Sequence, residues 1–280
     1  LSELKLAVPW GHIAAKAWGL QQAAPVLCLH GWLDNANSFD RLIPLLPKDF
    51  HYVAMDFGGH GPLETPVSPG KSLSPFAFFL SYSFFPFWVT SQFTSIFPEM
   101  VDKLILLDTS PFGLDPNVRM GAFMRAVTGE TQAEASQKPR QVVKPEEMLQ
   151  GYLKRNSHVS EEIARLLLQR GTTEVATGLV MNRHRRMTVP EQSISFVSKE
   201  LFTHSAKQLQ APVLLIKSIQ GYYNVRREDT DKNVFVPSPL QRFQYVKVPG
   251  NHYVHLNQPE IVARIISAFL QSQEPPPHQP

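Results

Sequence analysis

The stretch Pro25–Trp32, P-V-L-C-L-H-G-W, constrains this chain more than any other. A short apolar run stops abruptly at His30-Gly31 and a bulky residue. Such a run, bounded by a glycine turn, reads as a buried strand that ends in a tight turn. The turn leaves backbone N–H groups available at the strand's C-terminal end. Cys28, inside the run, is the chain's one cysteine. It reads as a small buried hydrophobe, and alone it makes no intrachain disulfide. That favours a reducing, intracellular setting, cytoplasmic or associated with vesicles or peroxisomes, over secretion.

With 280 residues, 43% of them hydrophobic, the chain is long enough for one large core carrying an inserted subdomain. The net charge of +3, from 27 basic and 24 acidic residues, gives no general case for nucleic-acid or membrane binding. The chain opens at Leu1, which leaves a targeting signal ahead of it open. Its first ten residues carry charges where a signal peptide needs an apolar stretch.

Leu4–Leu20 reads as two short strands around Pro9-Trp10-Gly11. After Trp32, D-N-A-N-S-F-D-R-L-I-P-L-L reads as a loop and a helical turn with Phe39, Leu42, Ile43 and Leu46 on one face, kept short by Pro44 and Pro47. Tyr52–Met55 is a strand ending in D-F-G-G-H-G, Asp56–Gly61, so a parallel pair with a right-handed crossover is expected. Leu104–Leu107 is a buried strand ending at Asp108. Residues 110–205 read as helix-rich. There Ser160 caps a helix with Glu161 and Glu162 in its first turn, Ile163, Leu166 and Leu167 on its apolar face and Gly171 at its end. The basic run Asn182–Arg186 reads as a solvated face. Two more strands follow, Pro212–Lys217 and Phe243–Val248. Pro259 then starts an amphipathic helix with Ile261, Val262, Ile265, Ile266, Phe269 and Leu270 on one stripe. The proline-rich tail from Ser272 reads as disordered.

Residues 62–95 break this pattern. They are dense in Phe, Ser and Pro and hold neither period for any length. The apolar part, Phe76–Val89, is 14 residues interrupted by Pro86, short of the roughly 20 that a spanning helix needs. No transmembrane segment is expected.

Buried strands alternating with helices, a helical block inserted after L-I-L-L-D, and the ordered set H-G-W, D-F-G-G-H-G, P-V-L-L-I-K and P-G-N-H-Y-V-H-L-N-Q-P-E resemble the α/β-hydrolase fold, over residues 4–61 and 97–271. The fold class implied is α/β: a mostly parallel sheet with helices on both faces and a helical lid. Residues 1–109 would be the first part of the core (62–96 aberrant), 110–205 the lid, 206–271 the rest of the core and 272–280 the tail. The resemblance implies a serine hydrolase of small ester-like substrates, with no cofactor and no metal. Acyl transfer requires a nucleophile, a base, an acid that orients the base, and donors for the oxyanion. The resemblance places an oxyanion donor at Gly31-Trp32, on the Trp32 N–H. It makes His252 the general base, leaves His255 structural and makes His30 a turn-stabilising residue.

Two parts of this machinery depart from the pattern. The nucleophile should sit on G-x-S-x-G, a strained strand-to-helix elbow, yet no glycine lies between Gly70 and Gly113. Ser83 stands between Ser81 and Phe85, Ser91 between Val89 and Phe93, and Ser95 between Phe93 and Phe97. Bulky residues at these offsets clash in the elbow, so the nucleophile is unassigned and the central strand is expected to be missing. The acid's expected position holds Asn224, a neutral amide; Glu228, Asp229 and Asp108 are the alternatives. Three readings follow: an impaired hydrolase, a non-catalytic binding module that keeps the pocket, or a splice or gene-model product altered over 62–96. The sequence sets neither the small-molecule substrate nor the oligomeric state.

Overall fold

The computed structural model describes residues 1–8, 11–31, 33–57, 78–82, 93–94, 96–109, 140–183, 210–221 and 243–272. Trp32, Asn224, Glu228, Asp229 and the serines at 83, 91 and 95 lie outside that set. The chain enters through a hairpin, β1 (Ser2–Val8) and β2 (Gly11–Trp18). It continues with β3 (Ala24–Leu29), β4 (Phe50–Met55), β5 (Phe78–Tyr82) and β6 (Lys103–Leu107). β7 (Val142–Val143), α1 (Pro145–Arg155), α2 (Glu161–Gly171), β8 (Thr172–Val175) and β9 (Gly178–Met181) come next. The chain then closes with β10 (Val213–Gln220), β11 (Phe243–Asn251), α3 (Val254–Asn257) and α4 (Pro259–Gln271).

Eight strands form one sheet in the order β1-β2-β4-β3-β5-β6-β10-β11. The β1–β2 and β2–β4 pairs are antiparallel; the other pairs are parallel. The six strands from β4 to β11 in that order therefore form one parallel block, and their C-terminal ends share one edge. In open sheets of this type that edge carries the site.

The central strand expected to be missing is present. Phe78–Tyr82 pairs with β3 on one side and β6 on the other. The ladder is made by backbone, and F-F-L-S-Y is rich in residues that suit a pleated strand. A strand enclosed on both sides shows no polar alternation, which is why periodicity misses it. A second correction concerns the segment after Asp108. Besides α1 and α2, its described part holds a three-stranded antiparallel sheet, β7-β9-β8. Gly178, at φ +153°, closes the β8–β9 hairpin, where a Cβ would run into the Val143 carbonyl.

Alternation along β3, β6 and β10 divides the core. Val26, Cys28, Ile105, Leu107, Leu214 and Ile216 join one cluster with the apolar faces of α1, α2 and α4. Leu27, Leu29, Leu104, Leu106, Val213 and Leu215 form a second. Leu104–Leu107 are fully buried, each worth about 1.5–3 kcal/mol of burial. Phe39, Leu42, Ile43 and Leu46, on two short 3-10 turns, are buried as expected.

α2 shows how the inserted segment is fastened. Ser160 Oγ accepts from Ile163 N–H at 3.4 Å, with Glu161 and Glu162 in the first turn. Near the other end, Asn37 and Asn35 donate side-chain amides to the carbonyls of Leu166 and Leu167, both at 2.9 Å. Thr172 and Asn182 serve those of Leu168 and Arg170. Arg170 itself reaches Asp56 at 2.8 Å and Glu3 at 2.9 Å. The last helix is held from the opposite end of the sequence: Lys103 Nζ donates to the carbonyls of Phe269, Leu270 and Ser272 at 2.7, 3.0 and 2.7 Å. A cation suits the negative end of a helix dipole. Ser272, read from sequence as the start of a disordered tail, is instead part of this cap.

Candidate active site

Four features meet at the C-terminal edge of the parallel strands. β3 delivers His30 and Gly31, β6 delivers Asp108, β10 delivers Lys217 to Gly221, and β11 delivers His252.

The turn after β3 is held by its histidine. Phe57 N–H donates to His30 Nε2 at 3.0 Å, and His30 Nδ1 lies 2.7 Å from the Gly31 carbonyl. Nε2 accepts, so the hydrogen bonds assign the proton to Nδ1. His30 is thus the turn-stabilising residue expected. Leu33 takes φ +63° on the far side of the turn, and the Arg183 guanidinium donates to its carbonyl at 3.2 Å. Asp34 follows, buried beside the Tyr253 hydroxyl at 3.3 Å. Burial raises its carboxyl to about pKa 7, opposed by the Tyr253 hydrogen bond and by Arg183.

His252 is 6% exposed, on the loop between β11 and α3. Its Nδ1 lies 2.6 Å from Asp108 Oδ2. Of the positions weighed for the acid, Asp108 is the one the described structure brings to His252. Asp108 is 1% exposed and sits at φ +40°, a region an aspartate enters at a cost of roughly 1–2 kcal/mol. Local bonds answer that cost: its Oδ1 accepts the Ser218 N–H at 2.9 Å. Gly221 packs directly over the carboxylate, where a Cβ would strike both oxygens. The carboxylate thus joins the ends of β6 and β10 to the loop that carries His252.

Sequence reading missed a second histidine. His158, between α1 and α2, accepts from the His252 backbone N–H through Nδ1 at 3.4 Å. Its carbonyl receives the side-chain amides of Asn251 and Asn257 at 2.8 and 2.9 Å. Burial and the nearby His252 lower its pKa. Nothing local in N-S-H-V foretells this contact, because the partners lie about 94 positions away. His255 fits its structural reading: fully buried, stacked on Tyr253 at 6.1 Å, and lowered to about pKa 3 by burial and then by His252. Burial pushes the Cys28 thiol up, so it is no thiolate.

A cavity of about 820 Å³ is lined by Asp40, Arg41, Leu149, Glu162 and Arg165, among others; Gly31, Asp108 and His252 do not line it. Among the described residues no group of three His, Cys, Asp or Glu is placed to hold a metal ion. No described helix is long and apolar enough to cross a membrane.

Residues 24–85 match the family model of the α/β hydrolase fold. The serine hydrolase-like protein of Mus musculus is 54% identical over 298 residues, covering 96% of each chain. Serine hydrolase-like protein 2 of Homo sapiens is 52% identical, covering 97% of this chain and 94% of that one. The crystal structure of a hypothetical protein from Pseudomonas aeruginosa PAO1 superposes with a TM-score of 0.75 at 25% identity, over 97% of this chain and 100% of its own.

Proposed function

Since the chain belongs to the serine hydrolase-like family of the α/β hydrolase fold, we propose that it is a serine hydrolase of small ester-like substrates with an intact acid–base pair and an impaired nucleophile. The 2.6 Å approach of Asp108 Oδ2 to His252 Nδ1 carries this reading. Asp108 is the acid and His252 the general base, with Nε2 exchanging the proton. The Asp108 charge sets the tautomer and stabilises the imidazolium that forms. Gly31 and Trp32 supply the turn whose N–H meets the oxyanion. The segment 110–205 is the lid that selects a small-molecule substrate, and no cofactor takes part. The buried lone Cys28 supports an intracellular setting.

Ser83 is the residue that follows β5 in the chain, and the nucleophile of this fold follows a strand directly. Ser81 and Phe85 stand where the elbow motif has glycines, and that is the impairment. Loss of the nucleophile from such a unit costs on the order of 10⁴–10⁶ in rate. A second reading, a binding module without turnover, draws on the same substitutions and on Asn224.

A fluorophosphonate probe separates these readings. The purified chain is expected to remain unlabelled, and Ser81→Gly with Phe85→Gly should raise labelling at Ser83 by about 10² or more, the worth of one oxyanion donor. Stoichiometric labelling of the unmodified chain, abolished by His252→Ala, would overturn the impairment. An unlabelled double variant that melts normally would leave the binding module.

A further inference from the structure

His252 stands between two asparagines that reach the same oxygen. Asn251 closes β11 and Asn257 closes α3, and their side-chain amides donate to the His158 carbonyl at 2.8 and 2.9 Å. Two such bonds occupy both lone pairs of that carbonyl. The asparagines also hold each other. Asn257 Nδ2 donates to Asn251 Oδ1 at 2.8 Å, and the same oxygen accepts the Tyr253 N–H at 3.0 Å. The His252 N–H donates to His158 Nδ1 at the longer distance of 3.4 Å. The chain on either side of His252 is therefore fixed to one residue of the corner between α1 and α2.

That corner is tied down on both sides. Asn156 ends α1 with its side-chain amide on the Tyr152 carbonyl at 2.9 Å, and the Val159 N–H returns to the Asn156 carbonyl at 3.2 Å. Tyr152 and Val159 are buried, and Ser160 caps α2 directly afterwards. His158 is the third residue of the turn from Asn156 to Val159, so its carbonyl cannot swing without disturbing both helices. A general base acts only from within hydrogen-bond reach and in the right orientation. Asp108 Oδ2 orients the ring from β6. The backbone that carries the ring is set by the bonds to the corner.

We propose that Asn251 and Asn257 are positioning residues for His252: by gripping the His158 carbonyl they hold the base loop where its ring meets Asp108. The inference rests on the reading of His252 as the base and deepens it. A grip on a backbone carbonyl has its own signature. His158→Ala keeps the carbonyl and loses only the longer ring contact. Asn251→Ala with Asn257→Ala loses both short bonds. The placement of His252 should survive the first change and not the second.

The test is the long-range ¹H–¹⁵N spectrum of the His252 ring at one alkaline pH, assigned with His252→Gln. The unmodified protein and His158→Ala should both show a single tautomer with the proton on Nδ1, the nitrogen that faces Asp108. The double asparagine variant should lose it, its ring nitrogens moving toward the tautomer mixture of free histidine. An unmoved ring in a double variant that melts cooperatively overturns the proposal, and so does a ring that moves as far in His158→Ala. If the double variant does not fold, amide exchange of the unmodified protein under rising denaturant carries the test. The His252 and Val159 amides should then open in one step, and separate openings overturn the proposal. None of these readouts needs turnover. A ring released in the double variant, with no probe labelling of the Ser81→Gly, Phe85→Gly chain, would keep the grip and remove the hydrolase reading. Labelling of that chain, lost in His252→Ala, beside an unmoved ring would do the reverse.

Discussion

Asp34, buried against the Tyr253 hydroxyl, and His255, buried beside His252, bend stability in opposite directions with pH. Asp34 holds its proton to about pH 7 in the folded chain against an ordinary 3.8. Between those values the folded chain binds the extra proton, so stability falls as pH rises. His255 holds off a proton until about pH 3 against 6.5. Between these the unfolded chain binds the extra proton, and stability rises with pH. From about pH 4 to 6 the two slopes oppose, each near 1.4 kcal/mol per pH unit. Asp34→Asn should leave stability rising with pH across that window, and His255→Phe should leave it falling. Urea denaturation at stepped pH measures both, and parallel curves for the two variants would contradict this account. At this scale a motif marked the ends of β3 and β11, where Gly31 and His252 stand. Asp108 was one alternative among several, because a strand-end aspartate looks alike whether it caps or catalyses. Lys217 was hidden inside an apolar strand.

At the scale of elements, D-N-A-N reads from sequence only as a loop. In the fold, Asn35 and Asn37 hold the carbonyls near the C-terminal end of α2 from about 130 positions away. Composition marks such residues as turn formers and cannot say which distant carbonyl they serve. Each amide bond to a buried carbonyl contributes about 0.5–1.5 kcal/mol. Asn35→Ala with Asn37→Ala should therefore cost about 1–3 kcal/mol in the chemical melt. Amide exchange should quicken in the last turn of α2 before it does in β6. Uniform quickening would mean that α2 is not held separately. Strong local signals, such as the Ser160 cap and the Pro259 start, were read correctly because their chemistry acts within one helical turn. The β8–β9 hairpin was missed because its two-residue loop, Ala176-Thr177, holds no turn former, and its glycine, Gly178, stands one place later, at the start of β9.

At the scale of the molecule, the sheet depends on its middle. β5 joins β3 and β4 to β6, β10 and β11, so a break there parts the half that carries Gly31 from the half that carries Asp108 and His252. Leu80→Pro removes a ladder donor from a central strand, and the carbonyl left unpaired should cost about 1–3 kcal/mol. Loss of a single cooperative melt is the expected result. An unchanged melt would mean that residues 78–82 are not in the sheet. The overall class was legible because buried parallel strands leave apolar runs with glycine or aspartate at their ends. β5 was not, because its pairing is a property of its neighbours rather than of F-F-L-S-Y.

Lys103 gathers three carbonyls at the end of α4, and this makes it a ruler. The ammonium sits at the entrance of β6, so the final helix must finish at one fixed height beside that strand. A residue inserted within α4 would turn its last carbonyls about 100° away from the lysine. The first and last parts of the core are thereby gauged against each other, whatever length of chain is spliced into the segment between them.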